Sequence, residues 1–176
     1  MRKCSVYIAT SLDGYIARPD GGLDWLTKYP ITPETNYGYD EFYASIDTIV
    51  MGGQTYRELL NMDIPWMYKD KKTYVVTHNA VKTGENIEFI TENIIDRIIK
   101  LRKEKGKNIW IIGGGVLISL LLNAGLVDEL QICYIPVILG SGVPLFPNNP
   151  KESAWALIGS TAYDSGIIKL DYAIQQ

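Results

Sequence analysis

A chain of 176 residues with 47% hydrophobic and 21% charged residues has the size and composition of one globular domain, and is too apolar and too weakly charged to be disordered. Its 17 basic and 20 acidic residues give a net charge of −3, which argues against a broad positive surface for nucleic acid. No apolar stretch reaches the length of a membrane span and no secretory leader pattern precedes the first strand, so we expect a cytoplasmic protein.

The chain has one histidine and two cysteines, and none of them stands at the spacing that zinc ligands require. We therefore expect no metal site. Cys4 and Cys133 each lie inside an apolar, strand-like segment, which predicts two buried thiols and no disulfide framework.

The first part of the chain alternates segments typical of strands and helices. In chain order we predict a strand over Cys4–Ala9, a loop over Ser11–Gly22, a helix over Asn36–Ser45, a strand over Thr48–Met51, a helix over Gln54–Leu60, and strands over Thr73–Thr77 and Ile87–Ile90. A further helix begins after Thr91 or Asn93, either of which could cap it, and runs to about Lys105.

The second part begins with Asn108–Ile112, whose unbroken apolar run is typical of a strand buried on both faces of a parallel sheet. Three glycines then open a helix, whose inward-facing residues are predicted to be Val116, Leu117, Leu120 and Leu121. A strand over Glu129–Val137 and a hairpin of Trp155–Tyr163 with Ile167–Ile174 follow. This order predicts one α/β domain over residues 1–176 whose last third is antiparallel.

The strongest chemical signal is the glycine run Gly113–Gly115, between a buried strand and a helix. Because no side chain blocks the turn, a phosphate could reach N–H groups at the positive end of that helix. Met51–Tyr56 repeats the order of strand, glycine and helix, and two such helix ends in one sheet can hold one dinucleotide. The dinucleotide fingerprint would need glycine at Ile118, and no lysine completes a P-loop. Close packing of strand against helix is the alternative reason for the glycines.

Polar residues follow a third strand, at Thr77, His78 and Asn79. They could lie at the same edge of the sheet as the two glycine turns. His78 alone also fits an exposed loop residue, because no Ser or Cys nucleophile motif accompanies it.

Four segments in this order carry a family likeness: Ser11–Ala17, Ile49–Tyr56, Ile111–Gly115 and Pro136–Phe146. Together they resemble the dihydrofolate reductase superfamily, in the branch related to the reductase domain of bacterial riboflavin biosynthesis. The resemblance implies a three-layer α/β fold, with a mostly parallel central sheet flanked by helices and an antiparallel C-terminal hairpin. It also implies hydride transfer from NADPH, with NADH as the alternative, to a small planar heterocycle. Either 5-amino-6-(5-phosphoribosylamino)uracil reductase-like or dihydrofolate reductase-like activity would fit.

The resemblance also assigns cofactor contacts, residue by residue. Those residues are Ala9, Gly52, Gln54, Thr55, Thr77, His78, Asn79, Gly113, Gly114, Gly115 and Val116. One position departs from the pattern, because relatives commonly place at Gly53 an arginine that helps to hold the ribose 2′-phosphate of NADPH. Lys71, Lys72 or Lys82 could supply that charge instead, or could be ordinary surface lysines.

Reduction also needs a proton source, for which the carboxylates Asp13, Asp24, Asp40 and Glu41 are candidates. The resemblance places a substrate-binding carboxylate on the first helix, which corresponds to Asp40 or Glu41. We favour Asp40 as a catalytic residue, although it could instead be a solvated charge on the helix face. Asp13 is the second candidate, although its carboxylate could instead tie the Ser-Leu-Asp-Gly turn together.

Aromatic residues are frequent in the loops and helix expected to cover the substrate, where flat rings could stack on a flat heterocycle or simply pack the core. They are Trp25, Tyr29, Tyr37, Tyr39, Trp66 and Tyr68. The few basic residues of this region, Arg18, Lys28, Arg57 and Lys69, make a poor site for a phosphorylated substrate.

Three other hypotheses remain at this stage. A non-catalytic nucleotide-binding protein would keep the fold without turnover, and a flavin-like ligand could occupy the same groove. A homodimer through the C-terminal strands is implied by the resemblance, although burial of Glu129–Val137 within one chain explains its apolar character equally well.

Overall fold

The computed structural model describes residues 1–79 and 84–175. In chain order its elements are β1 (Cys4–Ser11), β2 (Tyr15–Ala17), α1 (Tyr39–Ser45), β3 (Ile46–Gly52), α2 (Gly53–Asn61), β4 (Lys72–Val76), β5 (Ile87–Ile90), α3 (Ile94–Lys103), β6 (Asn108–Gly113), α4 (Gly115–Asn123), β7 (Glu129–Ile135), β8 (Val143–Pro144), β9 (Trp155–Ala162) and β10 (Ile168–Ile174). Each strand and helix predicted from the sequence is present, with ends that differ by a few residues.

Eight of the strands form one sheet in the order β5-β4-β3-β6-β1-β7-β10-β9. The six strands from β5 to β7 are parallel, whereas β10 runs antiparallel to both β7 and β9. The first strand lies inside the sheet, where Cys4 pairs with Ile109 of β6 and Ser5 with Glu129 of β7. This topology confirms the predicted α/β fold with its antiparallel C-terminal hairpin.

Helices cover both faces of the sheet, which gives the three predicted layers. Along β3, Ile49 and Met51 belong to an apolar cluster with Phe42 of α1 and Tyr56 of α2. Val50 points the other way, into the cluster that contains the buried residues of α3 and α4. Both faces of the parallel strands are therefore buried, and this explains their unbroken apolar runs.

The segment predicted as a loop, Ser11–Gly22, contains a short strand, so that prediction was wrong in part. The turn at Gly14 (φ 84°) is followed by β2, which pairs with β8 in a separate two-stranded sheet. Tyr15 N–H donates to Ser11 Oγ at 2.9 Å, which fixes the turn. The partner strand lies more than a hundred residues later in the chain, where a local sequence pattern gives no sign of it.

Two predictions about helices need correction. α3 ends at Lys103, and its N-cap residue Asn93 has a left-handed backbone (φ 50°) without a side-chain capping hydrogen bond. On α4, Leu117 and Leu121 are buried as predicted, but Val116 is 64% exposed and Leu120 is 38% exposed. Because α4 is apolar almost all round, residue spacing alone does not show which side faces the core.

Both cysteines are buried and free, as predicted. Burial raises the pKa of Cys4 to about 12 and also raises the pKa of Cys133. Across the described residues, no helix is long and apolar enough to cross a membrane. In the same residues no group of three or more His, Cys, Asp or Glu side chains is arranged to hold a metal ion.

Candidate functional site

A cavity of about 680 Å³ lies where the parallel strands β1, β3, β4 and β6 approach their carboxyl ends. In open α/β sheets this edge is the usual place for a ligand. Nine of the eleven predicted cofactor contacts line it, namely Ala9, Gly52, Gln54, Thr55, Thr77, His78, Gly114, Gly115 and Val116. Asn79 and Gly113 do not line the cavity. The fold therefore brings together most of a site that the sequence scatters over more than a hundred residues.

The two glycine turns lie against each other at one wall of the cavity. A Cβ atom built on Gly52 would lie 3.6 Å from Gly113 O and 3.7 Å from Gly114 N. Gly52 and Gly114 are the N-cap residues of α2 and α4, and no described side chain caps either helix. Two helix N-termini with their positive dipole ends thus open toward one space, as a diphosphate requires.

The three consecutive glycines have different surroundings. Gly113 has φ +118°, a conformation that side chains rarely adopt. A Cβ atom on Gly114 would meet nothing closer than Thr55 Oγ1 at 3.9 Å, so this residue leaves its space to the cavity. A Cβ atom on Gly115 would lie 2.7 Å from Pro144 O and 2.8 Å from Pro147 Cδ. Gly114 is therefore suited to a close ligand, whereas Gly115 is required by packing.

Gly53 also lacks room for a side chain. A Cβ atom there would lie 2.7 Å from Thr77 Oγ1 and 3.3 Å from Nη1 of Arg57, one turn later on α2. The Arg57 guanidinium thus lies beside the position where relatives carry arginine. Within the described residues this guanidinium forms no ion pair or hydrogen bond.

Asp13 lies outside the cavity and holds two loops together. Its carboxylate accepts hydrogen bonds from Ser11 Oγ at 2.6 Å, Leu139 N at 3.1 Å and Gly140 N at 2.7 Å. The Ser11 hydroxyl, followed by the two backbone N–H groups, holds the pKa of Asp13 below its usual range. These contacts support the structural alternative for Asp13, because such a carboxylate is a poor proton donor.

Asp40, the other predicted catalytic residue, is exposed at the start of α1 and does not line the cavity. Its carboxylate accepts a hydrogen bond from Asn36 Nδ2 at 2.9 Å. The carboxylate of Asp24 is likewise engaged, by the Arg18 guanidinium at 2.6 Å. The structure does not bring these carboxylates together with the cofactor residues, and a catalytic role for Asp40 stays a prediction.

The aromatic residues predicted to cover the substrate do not line the cavity. Trp25, Tyr37 and Tyr68 are buried, and Tyr68 packs edge-on against Trp110 with ring centroids 5.7 Å apart. Tyr39 stacks on Tyr43 with centroids 5.5 Å apart. These contacts favour the alternative of core packing over stacking on a ligand in this cavity.

Comparison with known proteins identifies the family to which the chain belongs. The model of the RibD C-terminal domain matches residues 2–169. The chain belongs to this family. It is 38% identical over 167 residues to the uncharacterized protein YwjB of Bacillus subtilis (strain 168), with 94% of this chain and 95% of YwjB covered.

Solved structures agree with the fold of this RibD C-terminal domain. A protein from Shewanella sp. PV-4, provisionally assigned to riboflavin biosynthesis, superposes with a TM-score of 0.87 and 31% identity over 99% of both chains. The Thermotoga maritima diaminohydroxyphosphoribosylaminopyrimidine deaminase/5-amino-6-(5-phosphoribosylamino)uracil reductase gives 0.74 at 15% identity, over 99% of this chain and 57% of that one. Dihydrofolate reductase from Enterococcus faecalis, solved with NADP(H), gives 0.70 at 19% identity over 99% and 97%. These matches confirm the predicted fold, and the family match confirms the predicted relation to the reductase branch of riboflavin biosynthesis.

Several residues that line the cavity of this RibD C-terminal domain were missed in the sequence. Glu58 was detectable, because it stands one helical turn after the predicted contact Gln54 and on the same helix face. Leu23 and Leu26 line the cavity from the segment after β2, and Val143 and Pro147 from the segment around β8. For these four residues no local pattern distinguishes a cavity wall from ordinary packing.

Proposed function

We propose that this RibD C-terminal domain is an NADPH-dependent reductase of a small planar heterocycle. The observation that carries the proposal is the cavity of about 680 Å³ at the carboxyl ends of the strands. Two helix N-termini, each with a glycine as its N-cap residue, lie at one wall of this cavity. Its size suits a dinucleotide and part of a second ligand, and its glycines allow a diphosphate to approach the backbone. The family and the fold neighbours support a reductase.

The residues of the chain would bind and orient the cofactor and exclude water. The helix ends at Gly52 and Gly114 would hold the diphosphate. Ala9, with its small side chain, lets a flat ring lie against β1, and Ile16 adds an apolar wall. When bound, NADPH would supply the hydride for reduction of a C=N or C=O group, which also requires one proton at the heteroatom.

Preference for the phosphorylated cofactor is assigned to Arg57. A 2′-phosphate beside Thr77 would lie next to a guanidinium that has no partner among the described residues. An arginine near the ribose commonly accommodates this phosphate in dinucleotide sites. In this chain the positive charge that relatives carry at position 53 would thus be supplied by Arg57, one helical turn later.

The lysines considered from the sequence are engaged elsewhere or lie outside the described residues. Lys71 donates to Ile46 O at 3.1 Å, and Lys72 pairs with Glu88 at 2.6 Å. Lys82 falls outside the part of the chain that the structure describes. These contacts favour Arg57 as the cation near Thr77.

Turnover tests the proposed function directly. Oxidation of NADPH, followed by its absorbance at 340 nm, should proceed with at least one member of a panel of pyrimidines and pterins. Tight NADPH binding without turnover on any compound would favour the non-catalytic nucleotide-binding alternative, which is supported by the observation that neither Asp13 nor Asp40 lines the cavity. Visible absorbance of the purified protein would instead indicate a flavin.

Arg57→Gln tests the cofactor preference separately. The loss of one charge-assisted contact should weaken NADPH binding about tenfold and leave NADH binding unchanged, as measured by calorimetry. Lys100→Gln, which removes a positive charge from the exposed surface of α3, is the matched control. Equal losses for NADPH and NADH would contradict this role of Arg57.

A further inference from the structure

Glu58 lies at the mouth of the cavity, between α2 and the loop that follows β2. Its Oε1 accepts a hydrogen bond from Gln54 Nε2 at 3.1 Å, which orients the carboxylate. Across the mouth, a Cβ atom built on Gly21 would lie 3.5 Å from the same oxygen. Leu23 and Leu26 line this side of the cavity as well. The carboxylate is thus exposed at the edge of the cavity beside Gly21, about one helical turn along α2 from the glycine turn at Gly52 and Gly53.

The charge of the lining residues is unusual for a site that accepts phosphate. Among the described residues that line the cavity, Glu58 is the one acidic side chain, and none is lysine or arginine. The wall near Glu58 therefore carries a negative charge, whereas Arg57, the cation assigned to the 2′-phosphate, lies beside Gly53 and does not itself line the cavity.

The hydrogen-bonding capacity of this carboxylate is only partly used. A carboxylate accepts hydrogen bonds at two oxygens, and Glu58 has one partner, Gln54, among the described residues. The second oxygen is available to a donor on a ligand. An amino group or ring N–H of a heterocycle would satisfy it, whereas a phosphate has no hydrogen to donate when ionised and would be repelled.

We infer that Glu58 binds an N–H donor of the substrate ring, and that the substrate is an amino-substituted heterocycle without a phosphate group. This inference rests on the proposed reductase function and narrows its substrate class. It separates the chain from the Thermotoga maritima enzyme, whose substrate name includes a phosphoribosyl group. Glu58 is a specificity residue here, because its contact is to the ring and no proton transfer is assigned to it.

A matched pair of ligands tests the inference. The probes are 5-amino-6-(5-phosphoribosylamino)uracil and the same compound without its phosphate, titrated by calorimetry with and without NADPH. The wild-type protein should bind the unphosphorylated compound more tightly. Glu58→Gln keeps the side-chain shape and should weaken that binding about tenfold while leaving NADPH affinity unchanged. Glu152→Gln, an exposed carboxylate outside the cavity, should change neither.

Three results would overturn the inference: tighter binding of the phosphorylated compound by the wild type, unchanged affinity in Glu58→Gln, or binding of neither pyrimidine. Failure to bind NADPH is a different outcome, which counts against the proposed function. In that case the titrations without cofactor still decide the role of Glu58.

Discussion

Replacing Gly115 by alanine should destabilise the protein, although alanine is the better helix former. Alanine at a helical position normally gains up to about 1 kcal/mol over glycine. Here, however, the new methyl group would lie 2.7 Å from Pro144 O, 2.8 Å from Pro147 Cδ and 2.9 Å from Leu145 O. Backbone and ring atoms cannot rotate away, so overpacking should cost about 3 kcal/mol, at the upper end of the usual range. The expected net loss is about 2 kcal/mol.

Gly114→Ala is the matched comparison, because its methyl group would meet nothing closer than 3.9 Å within the protein and would project into the cavity. In a chain of this length 2 kcal/mol corresponds to a fall in Tm of about 4–8 °C. Circular dichroism should therefore show that fall for Gly115→Ala and a change below about 1 °C for Gly114→Ala. Calorimetry should show weakened NADPH binding for Gly114→Ala, and Gly114→Asp should abolish it. Equal melting temperatures for the two alanine variants would refute this reasoning.

Three further predictions follow from separate parts of the molecule. Asp13→Asn should lower Tm at neutral pH, because the Ser11 hydroxyl holds the pKa of Asp13 below its unfolded value. The difference in Tm between wild type and variant should be complete above about pH 4 and should shrink as the pH falls further, which melts at pH 7 and pH 3 would measure. Cys4 and Cys133 should resist Ellman's reagent in the native protein and react in denaturant, since burial raises both pKa values. The homodimer stays a prediction: light scattering should give twice the monomer mass, and Ile158→Lys on the edge strand β9, where this side chain is 60% exposed, should halve it.

The regular elements of the fold could be predicted from the sequence because each is encoded locally. The unbroken apolar run within Asn108–Ile112 is typical of a strand at the centre of a covered sheet, and β6 lies there. The small sheet of β2 and β8 could not be predicted, since its two strands pair across a long stretch of chain. The direction of Val116 depends on which side of an apolar helix the sheet occupies, and this is a tertiary choice.

Most residues that we propose to bind the cofactor were predicted from the sequence, whereas Glu58, which we propose to bind the substrate, was not. Glycines at the ends of strands, such as Gly52 and Gly114, can be recognised in a sequence by residue type alone. The role of a carboxylate cannot be predicted from residue type in the same way. Asp13 and Glu58 are chemically similar, yet Asp13 stabilises a turn and Glu58 lines the cavity. The effect of glycine at position 53 could not be predicted either, since Arg57 comes to lie beside it only in the folded chain.

The position of β1 inside the sheet has a consequence for how the chain folds. Its residues pair with β6 and β7, so that Cys4 meets Ile109 and Ser5 meets Glu129. During synthesis on a ribosome β1 would leave the exit tunnel well before either partner strand, β6 or β7, was made. Contacts of such long sequence separation slow folding, because the entropy cost of closing a large loop precedes the stabilising hydrogen bonds between the strands. We expect refolding in the millisecond-to-second range or slower, with the exposed early strand as the stage most open to chaperones and aggregation.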